Sequence, residues 1–199
     1  MKLVLASANP GKLREIVAML APLSIEVMPQ SALGIGEADE PHATFLENAL
    51  AKARHASRAA RLPALADDSG LCVDALGGAP GVHSAYYAGR EGSREQRDAR
   101  NNEKLLRELG ERRDAHYCCV IVFLGHENDP RPLVAEGIWR GEIARIARGS
   151  NGFGYDPLFM LPALGKTAAE LDAQEKNRIS HRGIALAKLI TLLNENRAA

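Results

Sequence analysis

The chain has 199 residues, enough for one large domain or two small ones with a sizeable buried core. Its 25 Lys and Arg residues balance 25 Asp and Glu residues, which argues against a general nucleic-acid-binding protein. No apolar run is long enough for a membrane span, and the start of the chain lacks the apolar region of a signal peptide. We therefore expect a cytoplasmic protein that binds neither nucleic acid nor membrane.

The first half of the chain alternates short apolar runs with helical patterns. Strands are predicted at residues 2–7, 25–28 and 62–66, and helices at 12–20 and from Thr44 to about Arg61. Thr44 and Glu47 have the spacing of a capping box at the start of the second helix. This alternation of strand and helix is typical of an α/β protein.

The second half is less regular. Strands are predicted at 71–74, 117–124 and 133–139, and helices at 93–109 and from about 183 to Asn194. A glycine-rich loop at 149–156 and a polar stretch at 165–182 separate these elements. The whole pattern predicts an α/β fold with a mixed sheet, helices on its faces, an elongated shape and a cleft.

Two adjacent acids, Asp67 and Asp68, follow the apolar run 62–66 and precede Ser69-Gly70. Carboxylates where a buried strand ends lie at the rim of the sheet, where α/β enzymes bind ligands, and they suit Mg²⁺. A solvated turn explains the same residues, because Asp, Ser and Gly are common in turns. If the strand continued through both acids, their side chains would point to opposite faces.

Four other segments carry candidate binding groups, and each has a purely structural alternative. The turn at 7–12 offers phosphate donors at a helix start, or is simply capped by Asn9. The acidic loop 37–40 joins Asp68 in a metal site, or is a solvated loop. The aromatics in 152–157 stack on a base or anchor the loop, and the basic residues in 176–183 bind anions or only precede a helix.

Six segments, in this order and spacing, make the chain resemble the inosine/xanthosine triphosphate pyrophosphatase family. Members of this family remove non-standard purine nucleoside triphosphates. The segments are SANPGK at 7–12, TFLENALAKAR at 44–54, ADDSGLCVDALGGAPGVHSA at 66–85, NGFGYDPLF at 151–159, GKTAAEL at 165–171 and SHRG at 180–183.

The resemblance implies a single domain over residues 1–199, with two lobes around a central mixed sheet, a central substrate cleft and homodimer formation. It also implies cleavage of ITP, dITP and XTP between the α and β phosphates with Mg²⁺. The triphosphate would be held by Ser7, Ala8, Asn9, Pro10, Gly11 and Lys12. Asp68 would be metal ligand and base, Glu40 a second metal ligand, and Ser69 a substrate contact. The base would be enclosed by Phe153, Gly154, Tyr155, Asp156, Lys176, His181 and Arg182.

The chain departs from the family pattern at Tyr86, where an arginine is usual, and the charged segment 90–113 matches no motif and is expected to vary freely. Two alternatives remain open. A regulatory module without catalysis would not need Asp68, Glu40 and Lys12 together, and a pyrophosphatase for modified pyrimidines differs only in its base site.

Overall fold

A computed structural model describes residues 2–23 and 25–198. The helices are α1 (Pro10–Leu20), α2 (Phe45–Ala60), α3 (Arg94–Glu108), α4 (Ala173–Ile179) and α5 (His181–Ala198). The strands are β1 (Lys2–Ala6), β2 (Glu26–Pro29), β3 (Ala64–Val73), β4 (Asp114–Leu124), β5 (Leu133–Ile143), β6 (Phe159–Leu161) and β7 (Lys166–Thr167). Within the described ranges, no helix has the length and apolar character needed to cross a membrane.

The strands form one mixed sheet in the order β2-β1-β3-β4-β5-β6-β7. Strand β1 pairs in parallel with β2 and β3, whereas β6 pairs antiparallel with β5 and β7. Parallel neighbours need a crossover connection, and α1 provides it between β1 and β2. The predicted α/β class and mixed sheet are confirmed.

The chain divides into two compact units, each with its own apolar core. Unit 1 comprises Met1–Asp68, Cys119–Gly137 and His181–Ala199, and unit 2 comprises Ser69–Cys118 and Ile138–Ser180. In unit 1, residues of β1, α1 and α5 pack together, among them Leu3, Leu5, Ile16, Leu20, Leu186 and Leu189. In unit 2 the core includes Tyr117, Trp139 and Phe159, with ring centroids of Tyr117 and Phe159 4.7 Å apart.

Helix α2 presents its alanines to the interior of unit 1. Ala49, Ala53 and Ala56 are buried, so the helix can lie close to its neighbours. Thr44 begins the helix as predicted, accepting a hydrogen bond from the Glu47 N–H and donating one to its carboxylate. This packing brings polar residues of the same helix into the interior.

Strand β3 differs from the prediction. The acids were expected at the end of one strand, with a second strand at 71–74, but one strand runs from Ala64 to Val73. The reason lies at Gly70, where a Cβ would sit 2.2 Å from the Gly81 carbonyl oxygen and 2.5 Å from Ser84 Oγ. Ser84 Oγ also accepts a hydrogen bond from the Leu71 N–H at 2.9 Å. Ser69-Gly70 is thus a strand segment approached closely by another backbone, and the turn interpretation is wrong.

Helix α4 lies inside the polar stretch for which no helix was predicted. Asp172 begins it by accepting a hydrogen bond from the Glu175 N–H at 2.7 Å. At seven residues it is too short to show a clear apolar period. It nevertheless places Lys176 in the interior of unit 2, where the side chain is buried.

We predict that Gly70→Ala destabilises the protein because the added methyl group overlaps the Gly81 backbone. The free energy of unfolding, measured by urea denaturation, should fall by about 1–3 kcal/mol. Gly110→Ala is the matched control, since a Cβ there meets no described atom within 4 Å. An equal effect of the two substitutions would contradict the close-approach explanation.

Candidate active site

The two adjacent acids of β3 have different partners. Asp67 Oδ2 lies 2.9 Å from Lys12 Nζ and 3.3 Å from the Arg182 guanidinium. Asp68 Oδ1 lies 2.8 Å from Lys52 Nζ. Successive residues of a strand point to opposite faces, so the strand directs each carboxylate to its own set of cations, as the continuous-strand case predicts.

Sheet register explains why Asp67 meets Lys12, which lies far away in sequence. In the parallel pair β1–β3, Ala6 pairs with Ala66. Beyond this pair β1 turns into α1, while β3 continues into Asp67. The acid pair therefore lies at the carboxyl end of β1, the edge where α/β proteins hold ligands.

Asp67 belongs to a buried ion-pair cluster. The Arg182 guanidinium is 1% exposed and bonds both Asp67 and Glu15. Burial would raise the pKa of Asp67, but attraction to Lys12 and Arg182 outweighs burial and holds that pKa well below its usual range. Burial likewise opposes the charge of Arg182, yet Asp67 and Glu15 raise its pKa. Both groups are charged at neutral pH, and Asp67 fixes the Lys12 ammonium in place.

Asp68 and Glu40, the two predicted metal ligands, converge on one positive charge. Lys52 Nζ lies 2.8 Å from Asp68 Oδ1 and 2.9 Å from Glu40 Oε1. Burial would lower the pKa of Lys52, but these carboxylates and Asp67 raise it, so the ammonium stays protonated. Burial raises the pKa of Asp68 despite the opposing effect of Lys52. Asp68 is consequently a stronger base than an ordinary carboxylate.

Asn48 connects the loop that carries Glu40 with Asp68. Its Oδ1 accepts a hydrogen bond from the His42 N–H at 3.0 Å, and its Nδ2 donates to the His42 carbonyl at 3.2 Å. The same amide lies 3.5 Å from Asp68 Oδ2. Sequence reasoning assigned no role to Asn48 or Lys52, although both lie in the segment 44–54. The available signal was two polar residues four apart on a helix whose inner face is alanine.

The donor set fits a divalent cation. Three cations of this cluster, Lys12, Lys52 and Arg182, already face the four carboxylates of Glu15, Glu40, Asp67 and Asp68. Added phosphates would therefore need further positive charge. In the part of the chain that the structure describes, no three His, Cys, Asp or Glu residues group into a metal site. Two carboxylates are nevertheless enough when phosphates and water supply the other ligands.

The turn at 7–12 is capped as the structural alternative predicts. Asn9 Oδ1 accepts hydrogen bonds from the N–H groups of Gly11 and Lys12 at 2.9 and 3.2 Å, and Ser7 Oγ accepts one from Asn9 N at 3.2 Å. Pro10 has no N–H to offer, and Ala8 is exposed. The N–H groups of Gly11 and Lys12 are therefore already bonded to Asn9, and Lys12 is the cationic side chain of this turn.

The glycine-rich loop forms a second polar group, within unit 2. Asp156 Oδ2 accepts hydrogen bonds from the Phe153 N–H at 2.8 Å and from Lys176 Nζ at 2.5 Å. Lys176 Nζ lies 4.9 Å from the centroid of the Phe153 ring. Asp156 therefore holds both the Phe153 backbone and the Lys176 ammonium, although these residues are distant in sequence.

 

Tyr155 does not offer its ring as a stacking surface. The ring is 3% exposed in the core of unit 2, and its hydroxyl donates a hydrogen bond to the Ser84 carbonyl at 2.9 Å. Burial raises the pKa of this hydroxyl. The prediction that both aromatics of the loop present stacking surfaces is therefore wrong for Tyr155, which anchors the loop.

The remaining predicted base contacts belong to unit 1. His181 begins α5 and is buried, and a Cβ at Gly137 would lie 2.0 Å from its carbonyl oxygen, so this glycine lets β5 approach the helix start. Arg182 is held by Asp67 and Glu15, as described above. Ser69, the predicted substrate contact, is the half-buried residue that follows Asp68 in β3.

The Ham1 family profile matches residues 3–192. The chain belongs to the Ham1 family. Two relatives named dITP/XTP pyrophosphatase, from Ralstonia nicotianae and Nitrosomonas europaea, are each 62% identical to this Ham1 protein. The matches cover 96% of both chains for the first, and 98% of this chain and 95% of the relative for the second.

Solved structures agree with this Ham1 assignment. A HAM1 protein from Coxiella burnetii has a TM-score of 0.88 at 49% identity, covering 98% of this chain and 99% of its own. The Ham1 protein of Staphylococcus aureus has a TM-score of 0.85 at 39% identity, covering 98% and 100%. The family and the fold class predicted from sequence are confirmed.

We predict that Asp67→Asn lowers the free energy of unfolding by about 3–5 kcal/mol at neutral pH, because it removes the buried negative charge that pairs with Lys12 and Arg182. The folded-state pKa of Asp67 is depressed, so its contribution is fully present above the unfolded pKa of about 4 and is lost below it. Urea denaturation should show a difference in the free energy of unfolding between the wild type and Asp67→Asn. This difference should be constant from pH 7 to pH 5 and should become smaller as the pH falls further.

The control for this prediction is Glu26→Gln, which removes an exposed ion pair with Lys2. Its effect should stay within about 1 kcal/mol. If Asp67→Asn lowered the free energy of unfolding as much at pH 3 as at pH 7, this result would contradict the ionic explanation.

Proposed function

We propose that this Ham1 protein hydrolyses the non-standard purine nucleoside triphosphates ITP, dITP and XTP to the monophosphate and pyrophosphate. The observation that carries the proposal is the convergence of Asp68 and Glu40 on one point, beside the Lys12 cluster. Relatives at 62% identity bear the name dITP/XTP pyrophosphatase, which supports the same substrates. Cleavage of such anhydrides depends mainly on charge neutralisation and in-line positioning.

In the proposed reaction Asp68 takes the proton from the attacking water. A carboxylate positioned beside this water can accept its proton in the transition state. Lys52 keeps the carboxylate oriented, and Lys12, held by Asp67, neutralises phosphate oxygens. Ser7, Ala8, Asn9, Pro10 and Gly11 complete the phosphate-binding turn in this proposal, and Ser69 contacts the substrate.

Asp68 and Glu40 would hold a divalent ion, which we propose is Mg²⁺. When bound, the ion supplies Lewis-acid stabilisation of phosphate charge and lowers the pKa of water. Before it binds, the Lys52 ammonium keeps the two carboxylates directed at one point and offsets their repulsion. Asn48 holds the backbone near Glu40 through the His42 N–H and carbonyl.

Base selection follows from the donors that we assign to the base site. Hypoxanthine and xanthine carry a 6-oxo group, which accepts hydrogen bonds, whereas adenine carries a 6-amino group, which donates them. Lys176 would meet the 6-oxo group while Phe153 stacks on the ring, with His181 and Arg182 as further donors in the proposal. Adenine would place donor against donor, which leaves polar groups unpaired.

We further propose that the protein acts in the cytoplasm as a homodimer. The homodimer follows from the family resemblance, and the cytoplasmic location follows from the lack of a long apolar run in the sequence. Gel filtration with light scattering measures the mass of the assembly directly.

The direct test is a triphosphate panel in which pyrophosphate and orthophosphate are detected separately. We expect dITP, ITP and XTP to release pyrophosphate faster than ATP and GTP, and a chelator to abolish release, which Mg²⁺ restores. Release of orthophosphate alone, or faster turnover of ATP than of ITP, would overturn the proposal.

We predict that Asp68→Asn reduces kcat at least about 100-fold, because it removes the base and a metal ligand together. The free energy of unfolding should fall less than for Asp67→Asn, since the Lys52 ammonium keeps Glu40 as a partner. Steady-state kinetics and urea denaturation measure the two effects. Asp114→Asn, an exposed acid of β4, is the control, and retained activity in Asp68→Asn would assign the base elsewhere.

A further inference from the structure

One face of helix α3 contacts the glycine-rich loop. This helix lies in the charged segment that was expected to vary freely. Arg94, Asp98 and Asn102 are spaced four apart, so they share a face of the helix. All three contact Phe153 or Gly154 within unit 2. The segment therefore contacts the loop that the family resemblance assigns to the base.

Gly154 is held through both of its backbone polar groups. Asp98 Oδ2 accepts a hydrogen bond from the Gly154 N–H at 3.0 Å, and Asn102 Nδ2 donates one to the Gly154 carbonyl at 3.0 Å. Gly154 has φ of +63°, a left-handed conformation that favours glycine. Because glycine also samples many other conformations, these two hydrogen bonds select one of them.

Arg94 acts on the neighbouring residue. Its guanidinium carbon lies 4.7 Å from the centroid of the Phe153 ring, within the range of a cation–π contact. Arg94 Nε lies 3.8 Å from Asp98, the residue that bonds Gly154. The helix thus contacts both the ring of Phe153 and the peptide groups that follow it.

We propose that Arg94, Asp98 and Asn102 are positioning residues that set the Phe153 ring for stacking on the purine base. The inference rests on the proposed function, since it takes the loop 153–156 as the base site. If the loop leaves its binding conformation, the apparent affinity for the base falls by the fraction of molecules that remain competent. The chemical step, which we assign to Asp68, should then be unaffected.

The test compares Asn102→Leu, which cannot donate to the Gly154 carbonyl, with Arg107→Met, an exposed residue of the same helix. We expect KM for dITP to rise roughly 5- to 10-fold in Asn102→Leu, the equivalent of one hydrogen bond, with kcat within about 2-fold. Inhibition by inosine monophosphate should weaken by a similar factor, while inhibition by pyrophosphate, which lacks a base, stays constant. Arg107→Met should match the wild type.

A second pair of variants distinguishes the loss of a hydrogen bond from a folding defect. Asp98→Asn keeps an acceptor oxygen for the Gly154 N–H and should retain near wild-type KM, whereas Asp98→Ala should raise it. Equal weakening of inosine monophosphate and pyrophosphate inhibition, or unchanged KM in Asn102→Leu and Asp98→Ala, would overturn the inference. If the wild type itself releases no pyrophosphate from purine triphosphates, the proposed function fails instead.

Discussion

The arrangement of unit 1 depends on burying two adjacent carboxylates in one continuous strand. An isolated buried charge is very costly, so each acid needs compensation, and the strand points the two carboxylates to opposite faces. Asp67 is compensated by Lys12 and Arg182, and Asp68 by Lys52. These cations come from α1, α2 and α5, so the acid pair fixes how three helices of the unit present their charges.

The same strand gives the two acids opposite acid–base properties. Two cations hold the pKa of Asp67 low and keep it ionised, whereas burial raises the pKa of Asp68. A carboxylate that stays ionised suits a structural role, and a carboxylate with raised pKa suits proton transfer. The division of roles that we propose thus follows from the number of cations on each side of β3.

Sequence patterns predicted the features that depend on neighbouring residues. The α/β alternation, the Thr44 cap and the Asn9 cap are all set by local spacing. The continuity of β3 was missed because Ser69-Gly70 is typical of turns, and the close approach of Gly81 is a tertiary contact. Lys52 and the α3 face were missed for the same reason, since a charged residue on a helix resembles a solvated one until its partner is known.

The loop that we assign to the base shows why residues outside the motifs matter. Its glycines permit close approach to a ligand, but they also permit many conformations, so glycine alone cannot hold an aromatic ring in one orientation. Asp156 and the buried Tyr155 fix the end of the loop, and α3 fixes Gly154. Motif residues can therefore supply the chemistry while a helix without a motif supplies the orientation.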